Sequence, residues 1–167
     1  MQQFKPPIYI SYAWGDENTI EGIERTQIVK GICRALKERG YEVVRDIYYL
    51  TYLSQLPGFF RTIGSGGYVI PIVGSKYIKS EACMIEASNM VKTGALENRL
   101  FPIVLNDLPN VYTIEGRSNL IREIVSYWED KKQSLEKTLK TFKRESGFIS
   151  LREDTQEFEK IIDNFSE

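Results

Sequence analysis

The stretch between residues 68 and 91 constrains the fold of this chain more than any other part of the sequence. Residues 68–73 form a short apolar run rich in β-branched side chains, which is typical of a buried strand. The run breaks at Gly74, and apolar residues then return at helical spacing. We therefore predict a strand, a loop and a helix in succession, with Ser80 as the N-cap of the helix. The apolar face of that helix consists of Cys83, Met84, Ala87 and Val91.

The same unit occurs at the start of the chain. Ile8–Tyr12 follows two prolines and predicts a first strand. Asn18 and Glu21 have the spacing of a capping box, which predicts a helix that begins there and stops at Gly40. Tyr41–Asp46 then predicts a second strand. The apolar stripe of the intervening helix consists of Ile28, Val29, Ile32, Cys33 and Leu36.

The rest of the chain predicts further strands and helices. Leu100–Leu105 predicts a fourth strand, whose proline favours an edge or irregular position, and Val111–Thr113 predicts a short fifth strand. One or two helices are expected between residues 120 and 142, and an amphipathic helix at residues 158–165. The buried candidates between residues 120 and 142 are Ile121, Ile124, Val125, Trp128, Leu135 and Leu139.

Strands that alternate with helices imply a parallel sheet with helices on both faces. We predict an α/β, flavodoxin-like three-layer fold with a central parallel five-stranded sheet in the order 2-1-3-4-5. We expect one domain at residues 1–150, and at residues 151–167 a C-terminal helix or the start of a linker. In this fold the loops after the first and third strands meet over one crevice, where open α/β sheets bind ligands.

The composition excludes several classes of function. The sequence has no histidine, which rules out Ser-His and Cys-His nucleophile systems and the usual histidine-bearing zinc sites. Its formal net charge is −1 without a long basic run, so nucleic acid and membrane surfaces are poor candidates for the main partner. Cys33 and Cys83 lie far apart in predicted helices, which indicates reduced thiols. We expect a cytoplasmic protein with no metal site and no membrane-spanning segment.

The predicted crevice carries aromatic side chains and one carboxylate. Cys83 and Glu86 are one i,i+3 step apart, so they share the helix face that overlooks the crevice. Tyr12 and Trp14 rim it from the first loop, although Trp14 could instead cap the first helix. The sequence lacks the loops of dinucleotide-binding and P-loop enzymes, and its loop residues do not fit a phosphoryl-accepting receiver or a flavin site. A lone carboxylate can stabilise the oxocarbenium-like transition state of glycosidic cleavage, but most carboxylates at a helix start are simply solvated.

Residues 47–56 are unusually apolar for a loop between a strand and a helix. One interpretation is that this segment folds back on the sheet. The other is that part of it is exposed and forms a contact site, since contiguous exposed apolar surface usually marks an interface. The candidates for such an assembly contact are Tyr49, Leu50, Tyr52 and Leu53.

The run Ser-Lys-Tyr-Ile-Lys-Ser-Glu-Ala-Cys-Met-Ile-Glu at residues 75–86, with the Ile-Ser-Tyr of the first strand, resembles the TIR domain. The similarity is strongest to the bacterial kind that acts as an antiviral effector, and it covers about residues 7–105. It implies that Glu86 carries the cleavage of NAD⁺ into nicotinamide and linear or cyclic ADP-ribose. NAD⁺ is then the substrate, and no separate cofactor is expected. The loop at residues 47–57 would mediate contacts between TIR domains, and a sensor domain or subunit outside this sequence would trigger assembly.

The resemblance also implies roles for other residues. The loop at Ser11–Asp16 would line the nucleotide pocket. Asp46 would either fix the following loop or orient a ligand, and Cys83 would either pack the helix against the sheet or contact the ligand. Ala82 is a departure, because many enzymatic relatives have tryptophan there. The candidate substrate-binding residues are Ser11, Tyr12, Ala13, Trp14, Asp46, Tyr77 and Cys83.

Two hypotheses follow from the sequence. The first is an NAD⁺ glycohydrolase that becomes active on oligomerisation, in bacterial antiviral defence. The alternative is a non-catalytic adaptor that acts through TIR–TIR association, which Ala82 favours slightly.

Overall fold

The structure, a computed structural model, describes residues 5–45, 67–92, 98–141 and 148–166. In these residues parallel strands alternate with helices along the chain, as the sequence predicts. The strands are β1 (Ile8–Tyr12), β2 (Val43–Arg45), β3 (Tyr68–Val73) and β4 (Ile103–Val104). The helices are α1 (Ile20–Glu38), α2 (Ser75–Ile78), α3 (Glu81–Lys92), α4 (Ile114–Thr141) and α5 (Phe148–Ser166).

The described strands form one parallel sheet in the order β2-β1-β3-β4. In the centre of the sheet, Ile8 of β1 is in register with Val43 of β2 on one side and with Tyr68 of β3 on the other. This order agrees with the first four strands of the predicted order. The α/β, flavodoxin-like fold class is therefore confirmed, with four strands rather than five in the described residues.

Alternate side chains of β1 point to opposite faces of the sheet, as the pleat requires. Ile8 and Ile10 pack on one face with Val29 and Cys33 of α1. Tyr9 points to the other face, where it packs with residues of β3 and α3. Both faces are thus covered by helices, and the odd-numbered positions of β1 are directed at α3.

The predicted fifth strand at Val111–Thr113 is wrong, because these residues form the turn that starts α4. The side chain of Asn110 accepts a hydrogen bond of 3.0 Å from the backbone N–H of Tyr112. The hydroxyl of Thr113 accepts one of 3.0 Å from the N–H of Gly116. These short polar side chains bond to nearby backbone and favour a turn and helix cap over a strand.

The fourth strand is shorter than predicted, and Pro102 accounts for the difference. Only Ile103–Val104 forms the strand, although Leu100 makes an isolated bridge with Val69 of β3. The proline has no backbone N–H to donate, so it interrupts the ladder between the bridge and the strand.

The N-cap of α1 lies one residue later than predicted. Thr19, not Asn18, is the N-cap, and its hydroxyl accepts a hydrogen bond of 3.0 Å from the N–H of Gly22. The predicted end at Gly40 is confirmed by the positive φ of 78° at that residue. Ile28, predicted to lie in the apolar stripe, is 39% exposed.

The helices α4 and α5 pack together beside α3. Ile124 and Trp128 of α4 are buried with Phe158 and Ile161 of α5 in one hydrophobic cluster. Ile121 was predicted to be buried but is 46% exposed, because the neighbouring Leu120 packs against this cluster instead. None of the helices in the described ranges is long and apolar enough to span a membrane.

Candidate functional site

Glu86 lies on the second turn of α3 and points at the central strand. It is buried, with 4% of its surface exposed. The hydroxyl of Tyr9 donates a hydrogen bond of 2.8 Å to Oε1, and the hydroxyl of Ser11 donates one of 2.6 Å to Oε2. Because Tyr9 and Ser11 are two residues apart on β1, the strand presents both hydroxyls to the same side of the sheet.

The hydroxyl of Tyr77, from α2, extends this network behind Ser11. The oxygen atoms of the two hydroxyls are 3.0 Å apart. A hydroxyl has one proton, and an ionised carboxylate can only accept. With Glu86 ionised, Ser11 therefore donates to Glu86, and Tyr77 donates to Ser11. The result is a directed chain of hydrogen bonds that ends on the carboxylate.

A cavity of about 180 Å³ opens beside this network at the carboxyl end of β1. Cys83 and Glu86, one turn apart on α3, both face it. Ser80 lines the cavity directly before the first residue of α3. Its hydroxyl accepts a long hydrogen bond of 3.5 Å from the N–H of Cys83, as expected of the predicted N-cap. The cavity is lined by Tyr9, Ile10, Ser11, Tyr12, Trp14, Ser80, Ala82, Cys83 and Glu86.

A buried arginine anchors the loop between β1 and α1, which carries Trp14 to the cavity. Arg25 is 3% exposed, and its Nε donates a hydrogen bond of 2.7 Å to the carbonyl oxygen of Ala13. Its guanidinium also pairs with the carboxylate of Asp16. Lys76 of α2 approaches the same carboxylate at 3.2 Å. Charge-assisted bonds from two helices therefore hold the loop at Ala13 and at Asp16.

Burial suppresses ionisation of the other acidic groups around Glu86. Burial raises the pKa of the Cys83 thiol to about 12, against an opposing effect of the hydrogen bond with Ser80. Burial, followed by the charges of Cys83 and Glu86, raises the pKa of Tyr77 well above its usual value. At neutral pH the thiol and the phenol are both protonated. Cys83 is thus a poor nucleophile, since the thiolate is the reactive form.

The structure brings together five of the predicted site residues. Ser11, Tyr12, Trp14, Cys83 and Glu86 all line the cavity. Trp14 is 41% exposed and lies at its rim.

Two other candidates lie behind the cavity wall. Ala13 and Tyr77 are buried together with Cys83, and neither lines the cavity. Asp46 and the four assembly candidates lie outside the described residues, so their predicted roles stay predictions. The four candidates for the assembly contact are Tyr49, Leu50, Tyr52 and Leu53.

Sequence reasoning missed Tyr9 and Arg25. Tyr9 could have been found from the alternation in β1, because a residue two positions before Ser11 must share its face. No local pattern in the sequence indicates a role for Arg25. Arg25 lies on the second turn of α1, and the two groups that it holds are in a loop whose path the sequence does not determine.

The fold and the site define a class of protein: a parallel α/β domain with a buried carboxylate in the crevice beyond the central strand. A sequence model of the family described as the TIR domain matches residues 8–139. The chain therefore belongs to the TIR domain family. Comparison with curated proteins and with solved structures found no match.

Proposed function

We propose that this TIR domain cleaves the bond between nicotinamide and ribose in NAD⁺, with Glu86 as the catalytic carboxylate. The observation that carries the proposal is the placement of Glu86, which is buried, bonded through both oxygens and faces a cavity. Membership of the TIR domain family supports it, because that family includes NAD⁺-cleaving enzymes. An ordinary solvated carboxylate at a helix start would have neither the burial nor the cavity.

The chemistry needs only one carboxylate. The C1′–N bond of NAD⁺ breaks heterolytically, and nicotinamide leaves as a neutral pyridine that takes the bonding pair. The positive charge left on the ribose is an oxocarbenium ion, which the Glu86 carboxylate stabilises electrostatically. A water molecule then adds at C1′ and releases a proton, which gives ADP-ribose. No general acid is needed for the leaving group, so the mechanism requires no proton from the Cys83 thiol.

The size of the cavity supports activation by assembly. Its volume of about 180 Å³ lies below the roughly 300–1,000 Å³ that is usual for a cofactor or drug-sized ligand. It suits the nicotinamide-ribose end, with Trp14 and Tyr12 as aromatic walls. The rest of the dinucleotide would be covered by a second copy, which fits the general tendency of TIR domains to self-associate.

Nicotinamide release under conditions that force self-association tests the proposal. We expect wild type to release nicotinamide and Glu86→Gln to be slower by at least about a hundredfold, because the charge is lost while the shape is kept. Glu81→Gln is the matched control, since Glu81 lies on the same helix outside the cavity lining and should keep the wild-type rate. Equal rates for wild type and Glu86→Gln would remove Glu86 from the mechanism.

A non-catalytic adaptor is the second candidate, and Ala82 favours it. Ala82 lines the cavity with a methyl group where an aromatic ring would stack on a ligand. Under this alternative the domain only binds other TIR domains. It would be supported if the protein assembles, as measured by light scattering, and yet leaves NAD⁺ unchanged at every concentration.

The biological setting that we propose is bacterial antiviral defence in the cytoplasm. The domain would be silent until a sensor domain or subunit clusters it. When bacteria express a form of the domain that is held in oligomers, their cellular NAD⁺ level should fall. The same form with Glu86→Gln should leave the NAD⁺ level unchanged.

A further inference from the structure

We propose that Tyr9 is a positioning residue for Glu86, an inference that rests on the proposed function. Tyr9 is 1% exposed and packs in the core with Val69 and Met90. Phenylalanine would fill that core equally well. A buried hydroxyl costs free energy unless it is paired, so its presence needs a partner that offsets the cost. The hydroxyl donates to Oε1 of Glu86, 77 residues away in the chain.

The geometry indicates what this bond does. Each oxygen of Glu86 accepts one hydroxyl proton from β1, Oε1 from Tyr9 and Oε2 from Ser11. Two donors on one rigid strand fix the plane of the carboxylate. The side chain is then held in the orientation that faces the cavity before substrate arrives.

The two donors are not equivalent. Ser11 is itself bonded to Tyr77, so its hydroxyl has two partners. Tyr9 has a rigid ring held in the core, and its hydroxyl can move only with the strand. Tyr9 therefore holds Oε1 from within the core, and the orientation of Glu86 depends on this bond together with the one from Ser11.

Steady-state kinetics of Tyr9→Phe under assembly conditions test this role. A hydrogen bond to a charged group is worth roughly a ten- to hundredfold change in rate, so we expect kcat to fall by that factor with KM changed little. The acidic limb of the kcat–pH profile should move to higher pH, since a donor to the charged form is lost. A purely structural role for the hydroxyl would not move this limb. Tyr127→Phe is the control, because its hydroxyl bonds to the Lys79 carbonyl away from the cavity.

A second variant tests the same contact from the other side. Glu86→Asp shortens the side chain and moves the carboxylate away from the hydroxyl of Tyr9. Because the hydrogen bond is then already lost, adding Tyr9→Phe to Glu86→Asp should lower kcat by less than about a further twofold. Full additivity of the two substitutions would overturn the inference. So would wild-type kcat in Tyr9→Phe while Glu86→Gln is inactive. If wild type and Glu86→Gln have equal rates, the proposed function fails instead, and the role of Tyr9 fails with it.

Discussion

The guanidinium of Arg25 donates from Nε to the carbonyl oxygen of Ala13 at 2.7 Å and joins the first helix to the loop above the crevice. Both residues are buried. The same guanidinium pairs with Asp16, three residues further along that loop. One side chain thus holds the segment that carries Trp14 to the cavity rim.

Replacing Arg25 by methionine should destabilise the fold by roughly 3 kcal/mol, because a buried carbonyl and a partly buried carboxylate lose their main partner. Lys76 remains near Asp16 and limits the loss. Urea unfolding measures the change. Arg34→Met is the control, since Arg34 is an exposed arginine of the same helix and should change stability by less than about 0.5 kcal/mol. Equal stability of the two variants would contradict the anchoring role.

Gly22 and Gly31 of α1 form a second matched pair. A Cβ at Gly22 would clash with the backbone carbonyl of Asp16, whereas a Cβ at Gly31 would meet nothing within 4 Å. Alanine in a helix interior is normally more stable than glycine by roughly 0.5–1 kcal/mol. We therefore expect Gly31→Ala to raise the midpoint of urea unfolding and Gly22→Ala to lower it. Shifts of the same sign would show that the loop does not pack closely on α1.

The burial of Cys83 predicts a loss of stability in alkaline solution. Its folded pKa of about 12 exceeds the ordinary value of 9.0, so between these pH values only the unfolded chain gives up the thiol proton. Each pH unit in this window should lower the free energy of unfolding by about 1.4 kcal/mol through this group alone. The stabilising contribution is complete below pH 9.0 and lost as the pH approaches 12.

Denaturant titrations between pH 8 and 11 measure this contribution as a slope. Cys83→Ala should show a gentler decline with pH than wild type, whatever its absolute stability. Cys33→Ala should also show a gentler decline than wild type, because burial raises the pKa of Cys33 against the opposing charge of Arg45. Parallel slopes for wild type and Cys83→Ala would contradict the burial of this thiol.

Periodicity in the sequence predicted the described strands and the face of α3, and the topology rules for open α/β sheets predicted the order of those strands. The i,i+3 spacing of Cys83 and Glu86 placed both side chains on one face, and the structure has both at the same cavity. Such predictions succeed because a helix or strand fixes the relative direction of its own side chains. Local pattern therefore determines which residues share a face.

Contacts between distant segments could not be predicted in this way. The bond between Tyr9 and Glu86 depends on how closely α3 approaches β1, which no local pattern encodes. The predicted strand at Val111–Thr113 is wrong for a related reason. The side chains of Asn110 and Thr113 accept hydrogen bonds from nearby backbone N–H groups, and these bonds stabilise a turn more than Val111 and Tyr112 favour a strand. The hydrophobic loop at residues 47–56 lies outside the described residues, so both interpretations of it stay open.

The last helix, α5, lies beyond the region that matches the TIR family, yet it packs on α4. The predicted boundary after residue 150 falls inside this helix. Ile161 is fully buried, and we expect Ile161→Ala to cost roughly 2–5 kcal/mol, as for other large-to-small changes in a core. Ile121→Ala, at a position 46% exposed on α4, should cost less than about 1 kcal/mol.

Urea unfolding followed by circular dichroism compares the two isoleucine variants. A single transition with an unchanged m-value and a lower midpoint for Ile161→Ala would show that α5 unfolds together with the sheet. The segment after residue 150 would then be part of the folded domain rather than a linker. If Ile161→Ala costs no more than Ile121→Ala, the packing of α5 on α4, including Phe158 on Trp128, does not stabilise the fold.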